Sequence, residues 1–580
     1  MYNKKNELKA TNNSETNNSE TNNPAKRHIV KIKFNNEKVL DVNKNDNVLF
    51  VGPNNAGKSQ SLSDIYLLSQ NNAPTVVVSE IEISLEGSLK QLLEMTSTKR
   101  DNGYYIEYTT LNHSVTYNDY VDESFAENKF YGDYRNWFVT KLDTQARLSL
   151  CFPAEYTRRD NPKTNPIHFA AFDGKYRKWL SDRFKQAFGT NIIPNTQYGS
   201  VIPLCLGDPV KLEDTFSDEQ ERLEAYADIL ETYKQVQDQG DGIKSFTGIL
   251  LSLMLDYYCT YLIDEPESFL HPPQAGIMGQ IVGETLSDNQ QAFISTHSED
   301  FIKGLLEVCP DRLKIVRITR HEDTNDFSIL DNQKVKEVFG DPLLKYSNIM
   351  SSLFHKTVAL CEGDSDCKLY SVIDSNLKQE DGKYSETLFL HCGGKHRMAR
   401  IAASLLALDI DVRLIPDIDV MNDENVFRRV VETFGIDWDS IKTDYNILVS
   451  NLHSTKERIL RAEARNVINQ ILDAKQGTEL SKKEIENINN VIRTVSKWDN
   501  IKHSGEAVIP AGDAINAYKR IKKKLVDYKI YLVPVGELEG FVKEVGRHGP
   551  DWVNDVLEAY PDLSSDVYNQ VKDFIRSIGL

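Results

Sequence analysis

The sequence predicts an α/β protein built in two successive parts, and three observations carry that prediction. An apolar strand, Val48–Val51, runs into Gly52-Pro53-Asn54-Asn55-Ala56-Gly57-Lys58-Ser59 and then into a helical segment, Ser59–Leu68. A second apolar strand, Tyr261-Leu262-Ile263, ends in the paired acids Asp264 and Glu265. After Leu344, four further apolar segments each end in acids or in a Gly-Gly-Lys turn. Apolar strands alternating with helical stretches, with polar residues at their C-terminal ends, are the pattern of parallel sheets that bind ligands at that edge.

The chain's 580 residues suggest two to four domains. A hydrophobic fraction of 40%, with 23 Phe, 26 Tyr and 5 Trp, supplies sizeable cores. No apolar run approaches a membrane span and the N-terminus lacks the apolar core of a signal peptide, so no membrane partner is expected. Seven scattered cysteines without a C-x-x-C pair argue against a zinc site or a disulfide framework and suit a reducing, cytoplasmic setting. A net charge of −18 gives no global attraction for nucleic acid, so any such contact must be local.

Residues 1–26 are poor in large apolar side chains and repeat Thr-Asn-Asn-Ser-Glu, which reads as a disordered tail. From His28 to Phe34 the apolar residues alternate as in a strand, and Val76–Val78 and Ile81–Leu85 continue that reading. Glycines five apart, followed by lysine and a hydroxyl, form a P-loop. Gly52, Asn55 and Gly57 belong to the phosphate cradle, Lys58 reaches the β/γ-phosphates, and Ser59 is suited to Mg²⁺. The first part spans 27–345, with 95–240 an aromatic-rich inserted region containing strand or hairpin segments around Tyr104, Tyr105, Tyr108, Tyr117 and Tyr120. Within it, Arg158-Arg159 reads as a phosphate contact or a solvated pair.

Ser217–Gln239 reads as a helix capped by Ser217. Gly242 and Ser245 then lie in a loop before an apolar helix, Ile249–Tyr258, a placement suited to holding a phosphate or to simple capping. In a P-loop ATPase, Asp264 would hold Mg²⁺ through water and Glu265 would polarise the attacking water. Ala292–Ser295 reads as another strand, closing on His297, which could contact the γ-phosphate. The order of P-loop, Asp264-Glu265-Pro266-Glu267-Ser268-Phe269-Leu270-His271-Pro272 and Ser295-Thr296-His297-Ser298 resembles ABC-type ATPases of the RecF/SMC/OLD group over about 28–330. That resemblance implies a homo-oligomer in which two heads sandwich ATP, with the Gly242/Ser245 loop completing the other head's site.

The second part, 346–580, has its own constellation. Thr357–Cys361 delivers Glu362, with Asp366 one helical turn on. Leu388–Leu390 leads to Gly393-Gly394-Lys395, Val412–Pro416 delivers Asp417, Asp419 and Asp423, and Ile530–Pro534 leads to Glu537 and Glu539. So many acids at one sheet edge repel unless cations sit among them, and oxygen-only donors suit Mg²⁺ or Mn²⁺. Two such ions would activate water and stabilise the leaving oxygen in phosphodiester hydrolysis, with Lys395 or a lysine nearer the C-terminus neutralising charge.

Glu362 after the first strand, with Asp417 and Asp419 after a later one, resembles a TOPRIM domain. The fold class expected is therefore an ABC-type P-loop ATPase head followed by a TOPRIM α/β domain, with a helical insertion at 424–529. ATPase followed by TOPRIM is similar to the layout of OLD-family nucleases, including the ATPase–nuclease subunit of Gabija phage defence. The resemblance implies a further glutamate at Glu539 or Glu537 and a catalytic lysine, for which Lys543 is a candidate. The basic run Lys519-Arg520-Ile521-Lys522-Lys523-Lys524 reads as a phosphate-backbone contact or a solvated helix face, and Arg547 and His548 as structural or substrate-touching. The function implied is an ATP-regulated, divalent-metal-dependent endonuclease in antiphage defence, acting on DNA in preference to RNA, with a helicase or other effector as partner. The competing reading is an ATPase sensor or scaffold whose inactive TOPRIM-like domain controls an effector.

Overall fold

The structure, a computed structural model, describes residues 24–580 except 71–73, 102, 104–105, 112, 119–120, 122–124, 126–136, 211–217, 323, 340–347, 454–460, 474–479, 482–484, 486–487, 489–496 and 546–550. Most of the 1–26 tail, Tyr104, Tyr105, Tyr120, Ser217, most of Ser481–Lys497, Arg547 and His548 therefore lie outside the described residues. The chain divides into two compact units, the first drawn mainly from residues up to Val316. The second is drawn from Asp326–Leu580 together with Val51–Ala56 and Arg317–His321. No helix of the described residues is long and apolar enough to cross a membrane.

In the first unit, Lys26–Phe34 pairs antiparallel with Val39–Asp41 and with Val78–Glu86. The strand starts at Lys26, two residues before His28, and Pro24 bridges Ser88, so Pro24–Lys26 do not belong to a disordered tail. Four parallel strands, in the order Asn47–Val51, Gln291–Ser295, Thr260–Asp264, Val139–Leu142, run side by side in the six-stranded sheet that carries the P-loop, and Leu313–His321 and Thr324–Leu330 complete it beyond Asn47–Val51. Every residue of Asn47–Val51 and Gln291–Ser295 is buried, as central parallel strands require. Because Val139–Leu142 belongs to this sheet, the stretch 95–240 is not one uninterrupted insertion. Part of it is a three-stranded antiparallel meander, Thr98–Asp101, Ile106–Thr110 and His113–Tyr117.

Two helices differ from the sequence expectation. Glu219–Glu231 is capped by Asp218, which accepts from the Glu221 N–H at 2.9 Å, and stops well before Gln239. The next helix begins at Asp241 rather than Ile249 and ends at Leu253. Gly240 caps it, and Phe246 and Ile249–Leu251 are fully buried, so packing carries the helix across the glycines and serine that read as loop.

In the second unit, Thr387–His391, Thr357–Cys361 and Asp411–Ile415 form a parallel sheet with Thr357–Cys361 central. The segment expected as a fourth strand, Ile530–Pro534, runs beside Asp411–Ile415 through one parallel bridge, Leu414 to Ile530, and main-chain bonds from Tyr531 and Val533. Pro534 has no N–H to extend that ladder. The helix Asp364–Glu380 packs Tyr370 and Leu369 into a core with Trp552, Phe574 and Tyr568. Residues 424–529 include the helices Glu424–Thr433, Asp439–His453, Arg461–Asp473, Lys497–Ser504 and Asp513–Asp527.

Candidate nucleotide site and candidate metal centre

Gly52 leaves its strand at φ 140°, and a Cβ there would sit 2.0 Å from the Ile318 carbonyl oxygen, so only glycine fits the turn. Asn55 (φ 61°) and Gly57 (φ 102°) are also left-handed, and Gly57 is the N-cap of the helix Lys58–Ser69. Inside that helix the buried Asp64 carboxylate accepts from the Val76, Val77 and Val78 N–H groups, pinning the segment that follows. Lys58 is buried, and burial pushes its ammonium down to about 8, with Glu265, Asp264 and Glu267 pulling the other way.

Strand pairing brings the sequence-predicted acids to this lysine. The Ser59 hydroxyl donates to Asp264 Oδ1 at 2.7 Å, and the Ser295 hydroxyl donates to the same oxygen. Glu265 adopts φ 46°, its N–H bonds the Ser295 carbonyl at 3.1 Å, and its Oε1 lies 3.8 Å from His297 Nε2. Burial, then Lys58, lowers the pKa of His297. Glu267 was not singled out by sequence, yet its Oε1 accepts the His297 N–H at 2.7 Å and burial raises its pKa. Lys58, Ser59, Asp264, Glu265 and His297 thus converge on one cation-plus-carboxylate arrangement.

Gly242 and Ser245 lie within a helix, not in a loop that precedes one. Ser245 lies in the second turn of Asp241–Leu253, fully buried, and its hydroxyl accepts from Arg147 Nε at 2.9 Å, so it faces the interior. Gly242 packs on the Phe269 carbonyl, where a Cβ would approach to 2.5 Å. Arg147, which the sequence did not flag, is fully buried and also donates to the carbonyls of Leu142, Asp264 and Glu265. It clamps the turn that presents both acids. Arg158 and Arg159 are exposed.

In the second unit, adjacent parallel strands bring Glu362, Asp417 and Asp419 to the same edge. One carboxylate oxygen from each lies within 4.8 Å of the others. Burial, then Asp366, Glu362, Asp419 and Glu537, raise Asp417 well above the usual carboxylate range, and burial, then Asp419, raise Glu362. Glu362 Oε2 is buried with no hydrogen-bond partner. Asp366 is not one of this trio; its Oδ2 accepts the Gly363 N–H at 2.7 Å at the start of its helix, and burial pushes it up to about 6. Glu539 is likewise outside the trio and bears electrostatically on Asp366, whereas Glu537 bears on Asp417.

The cations beside the acids are Lys395, 3.1 Å from Asp419 Oδ2, and Lys502, 3.7 Å from Glu537 Oε2. Against the cost of burial, Asp419, Glu537, Asp417 and Glu362 raise the Lys502 ammonium above its ordinary value. His503 Nδ1 lies 2.6 Å from Glu537 Oε1. Sequence reading missed Lys502 and His503; their signal was the buried pair Trp498 and Ile501 on the same short helix. Gly536 makes room for that helix, since a Cβ there would meet the Lys502 carbonyl at 2.1 Å. Lys543, the lysine the resemblance suggested, is exposed. In the basic run, Arg520 pairs with Asp444 at 2.5 Å, Lys522 with Glu506 at 2.6 Å, and Lys524 with the Ser440 hydroxyl at 2.5 Å. Much of the run is engaged within its own helical layer.

SMC head domains are among the structural neighbours: an SMC head bound to the C-winged helix domain of ScpA (11% identical, 53% of this chain and 99% of that one, TM-score 0.34) and the SMC head domain from Thermotoga maritima (12%, 53% and 99%, TM-score 0.26). The Old nuclease of Escherichia phage P2 is 22% identical over 329 residues, which cover 54% of this chain and 49% of that protein. The match therefore spans about half the length of that curated relative. Residues 353–419 match the family model "Overcoming lysogenization defect protein-like, TOPRIM domain". The stretch that carries Glu362, Asp417 and Asp419 is thus an OLD-like TOPRIM domain.

Proposed function

We propose that this chain is an ATP-regulated, divalent-metal-dependent endonuclease of the OLD type, with an ATPase part at 27–345 and a nuclease part at 346–580. The observation that carries the proposal is the convergence of Glu362, Asp417 and Asp419 at one edge of the TOPRIM sheet. Three oxygen donors, a buried Glu362 oxygen without a partner, and carboxyls raised by burial and mutual repulsion together fit a hard divalent cation. Mg²⁺ or Mn²⁺ held there would polarise the scissile phosphate and lower the pKa of a bound water. Lys395 fixes the Asp419 carboxylate, and Lys502 is placed to offset charge developing on the phosphate. His503 orients Glu537 against Asp417.

On the ATPase side, Lys58 and the glycine turn would bind the β/γ-phosphates, and Ser59 with Asp264 would hold Mg²⁺. Glu265, pinned by its main chain and by Ser268, would orient the attacking water, with His297 beside it. Gln145 follows the strand that flanks Thr260–Asp264 and is exposed, which suits the Q-loop glutamine of ABC-type heads. Homo-oligomerisation would supply the second half of the nucleotide site, with the Gly240–Gly242 helix start, rather than the Ser245 hydroxyl, as the group offered to the other copy. Phosphodiester hydrolysis itself consumes no ATP, so ATP would govern assembly or access. DNA is the favoured substrate and defence against phage the favoured setting.

The test incubates purified protein with plasmid DNA and, in parallel, with structured RNA, in Mg²⁺ or Mn²⁺, with and without ATP. Cleavage of DNA by the wild type, absent in Glu362→Ala and Asp417→Ala, is the expected result. Intact substrates under every condition, or equal cutting by both variants, would refute the nuclease assignment.

A further inference from the structure

The TOPRIM sheet has two edges, and only one of them carries the Glu362, Asp417 and Asp419 trio. At the other, Thr357, Thr387 and Asp411, the first residues of its three strands, line a cavity of about 630 Å³. That volume is in the range of small-molecule sites. Strands of five residues at about 3.3 Å per residue put it roughly 15 Å from the carboxylate trio. A ligand in it would leave the metal centre open.

The lining is cationic. Arg317, Lys356, Lys378, Lys383, Arg413 and Lys529 face four acids, Asp326, Glu386, Asp409 and Asp411. Asp411 is shared by two of the cations, Lys529 at 2.6 Å and Arg413 at 3.1 Å, so one carboxylate answers two charges. The buried Arg317 guanidinium donates to main-chain carbonyls, His355 at 2.6 Å and Asp409 at 3.2 Å, and makes no direct ion pair among the described contacts. Lys378 likewise donates to a main-chain carbonyl, that of Leu580. Lys356 and Lys383 have no carboxylate partner among the described residues. A cleft with surplus charge of one sign and low-dielectric walls concentrates ions of the other sign.

Two lining residues narrow the class of anion. Tyr384 is 93% exposed, so its ring is available as a flat platform. Exposed aromatic rings beside lysines are the usual platform for a base next to its phosphate. Glu386, also exposed, is an acceptor suited to a ribose hydroxyl or a base amino group.

We propose that this cavity binds a nucleoside phosphate, as a nucleotide site additional to the P-loop. Lys356 and Lys383 meet the phosphate, supported by the excess charge of Lys529 and Arg413, and Tyr384 stacks on the base. The shared chemistry, a phosphomonoester on a nucleoside, comes either from a free nucleotide or from the 5′ end of a nucleic-acid strand.

The experiment uses the full chain carrying Lys58→Ala, to silence the P-loop, in EDTA, to keep ions from the acid cluster. Calorimetric titrations use AMP, inorganic phosphate, and a short oligoadenylate with and without a 5′-phosphate. AMP is expected to bind, and Lys356→Glu with Lys383→Glu to weaken it at least about tenfold without changing the melting temperature. Tyr384→Ala is expected to weaken AMP about fivefold and to leave inorganic phosphate unchanged. Tighter binding of the 5′-phosphorylated oligonucleotide than of AMP supports the site with a strand end as its ligand; the reverse order supports it with a free nucleotide. No AMP binding at about 1 mM, or binding indifferent to the two lysines, overturns the proposal. Binding indifferent to Tyr384 overturns the nucleoside part. Neither readout involves cleavage, so failure here is distinct from failure of the nuclease assignment.

Discussion

The P-loop site and the TOPRIM acid edge are both built where parallel strands end, but they handle charge in opposite ways. At the first, a cation of the chain, Lys58, is buried among Asp264, Glu265 and Glu267. The Asp264 carboxylate accepts from two hydroxyls, and Arg147 clamps the turn behind it. At the second, three carboxylates crowd within 4.8 Å, burial and then neighbouring acids raise Asp417 and Glu362, and Lys395 and Lys502 stand at the flank. The first is pre-organised by its own side chains, whereas the second sets like charges against one another. Such a division suits a control element joined to a chemical one.

Four substitutions would break or sharpen that contrast. The largest effect is expected from Glu362→Ala, which should lower nucleic-acid cleavage by about a thousandfold or more and remove metal binding while leaving ATP hydrolysis near wild type. Lys58→Ala should do the reverse, cutting ATP hydrolysis by about a hundredfold or more with metal binding retained by calorimetry. If either variant lost both functions, the two sites would be one machine and the contrast would fail.

Next, Arg147→Ala should cost about 3 kcal/mol in denaturant unfolding, because the carbonyls of Leu142, Asp264 and Glu265 and the buried Ser245 hydroxyl lose their donor. ATP hydrolysis should fall with it and metal affinity should not. The smallest effect is expected from Asp417→Asn, which removes one of three mutually repelling charges. In EDTA it should stabilise the protein by about 1 kcal/mol in thermal unfolding, and Mg²⁺ should no longer raise the melting temperature. A destabilised Asp417→Asn in EDTA would mean that the trio is already balanced by the chain's own lysines.

Strand-end residues were readable because strand pattern and strand end are local properties. Gly52, Lys58 and Ser59, the acids at 264 and 265, and those at 362, 417 and 419 sit where apolar runs stop. Residues whose role depends on a partner far along the chain were not readable. Arg147 looks like any arginine on a short helix until the strand Thr260–Asp264 is laid beside Val139–Leu142 and its guanidinium meets two carbonyls of that turn. Ser245 read as a loop residue because glycine and serine weaken helices locally, and burial of Phe246, Ile249 and Leu250 overrode that weakness. Asp366 has the spacing of a further site carboxylate, and only the structure shows that its Oδ2 also accepts the Gly363 N–H.

By itself, then, the sequence determined the two parallel-sheet units and the carboxylates and P-loop at their strand ends, since continuous apolar runs and glycine spacing act over a few residues. Only the tertiary structure decided which groups complete each site. Trp498 and Ile501 bury one face of a helix far from the sheet in sequence, and that packing, not any local preference, brings Lys502 and His503 to the acids. The same cause drew Lys356, Lys383, Arg413 and Lys529 around a single cavity at the sheet's other edge. Long-range burial sets such neighbours, and no window of sequence contains it.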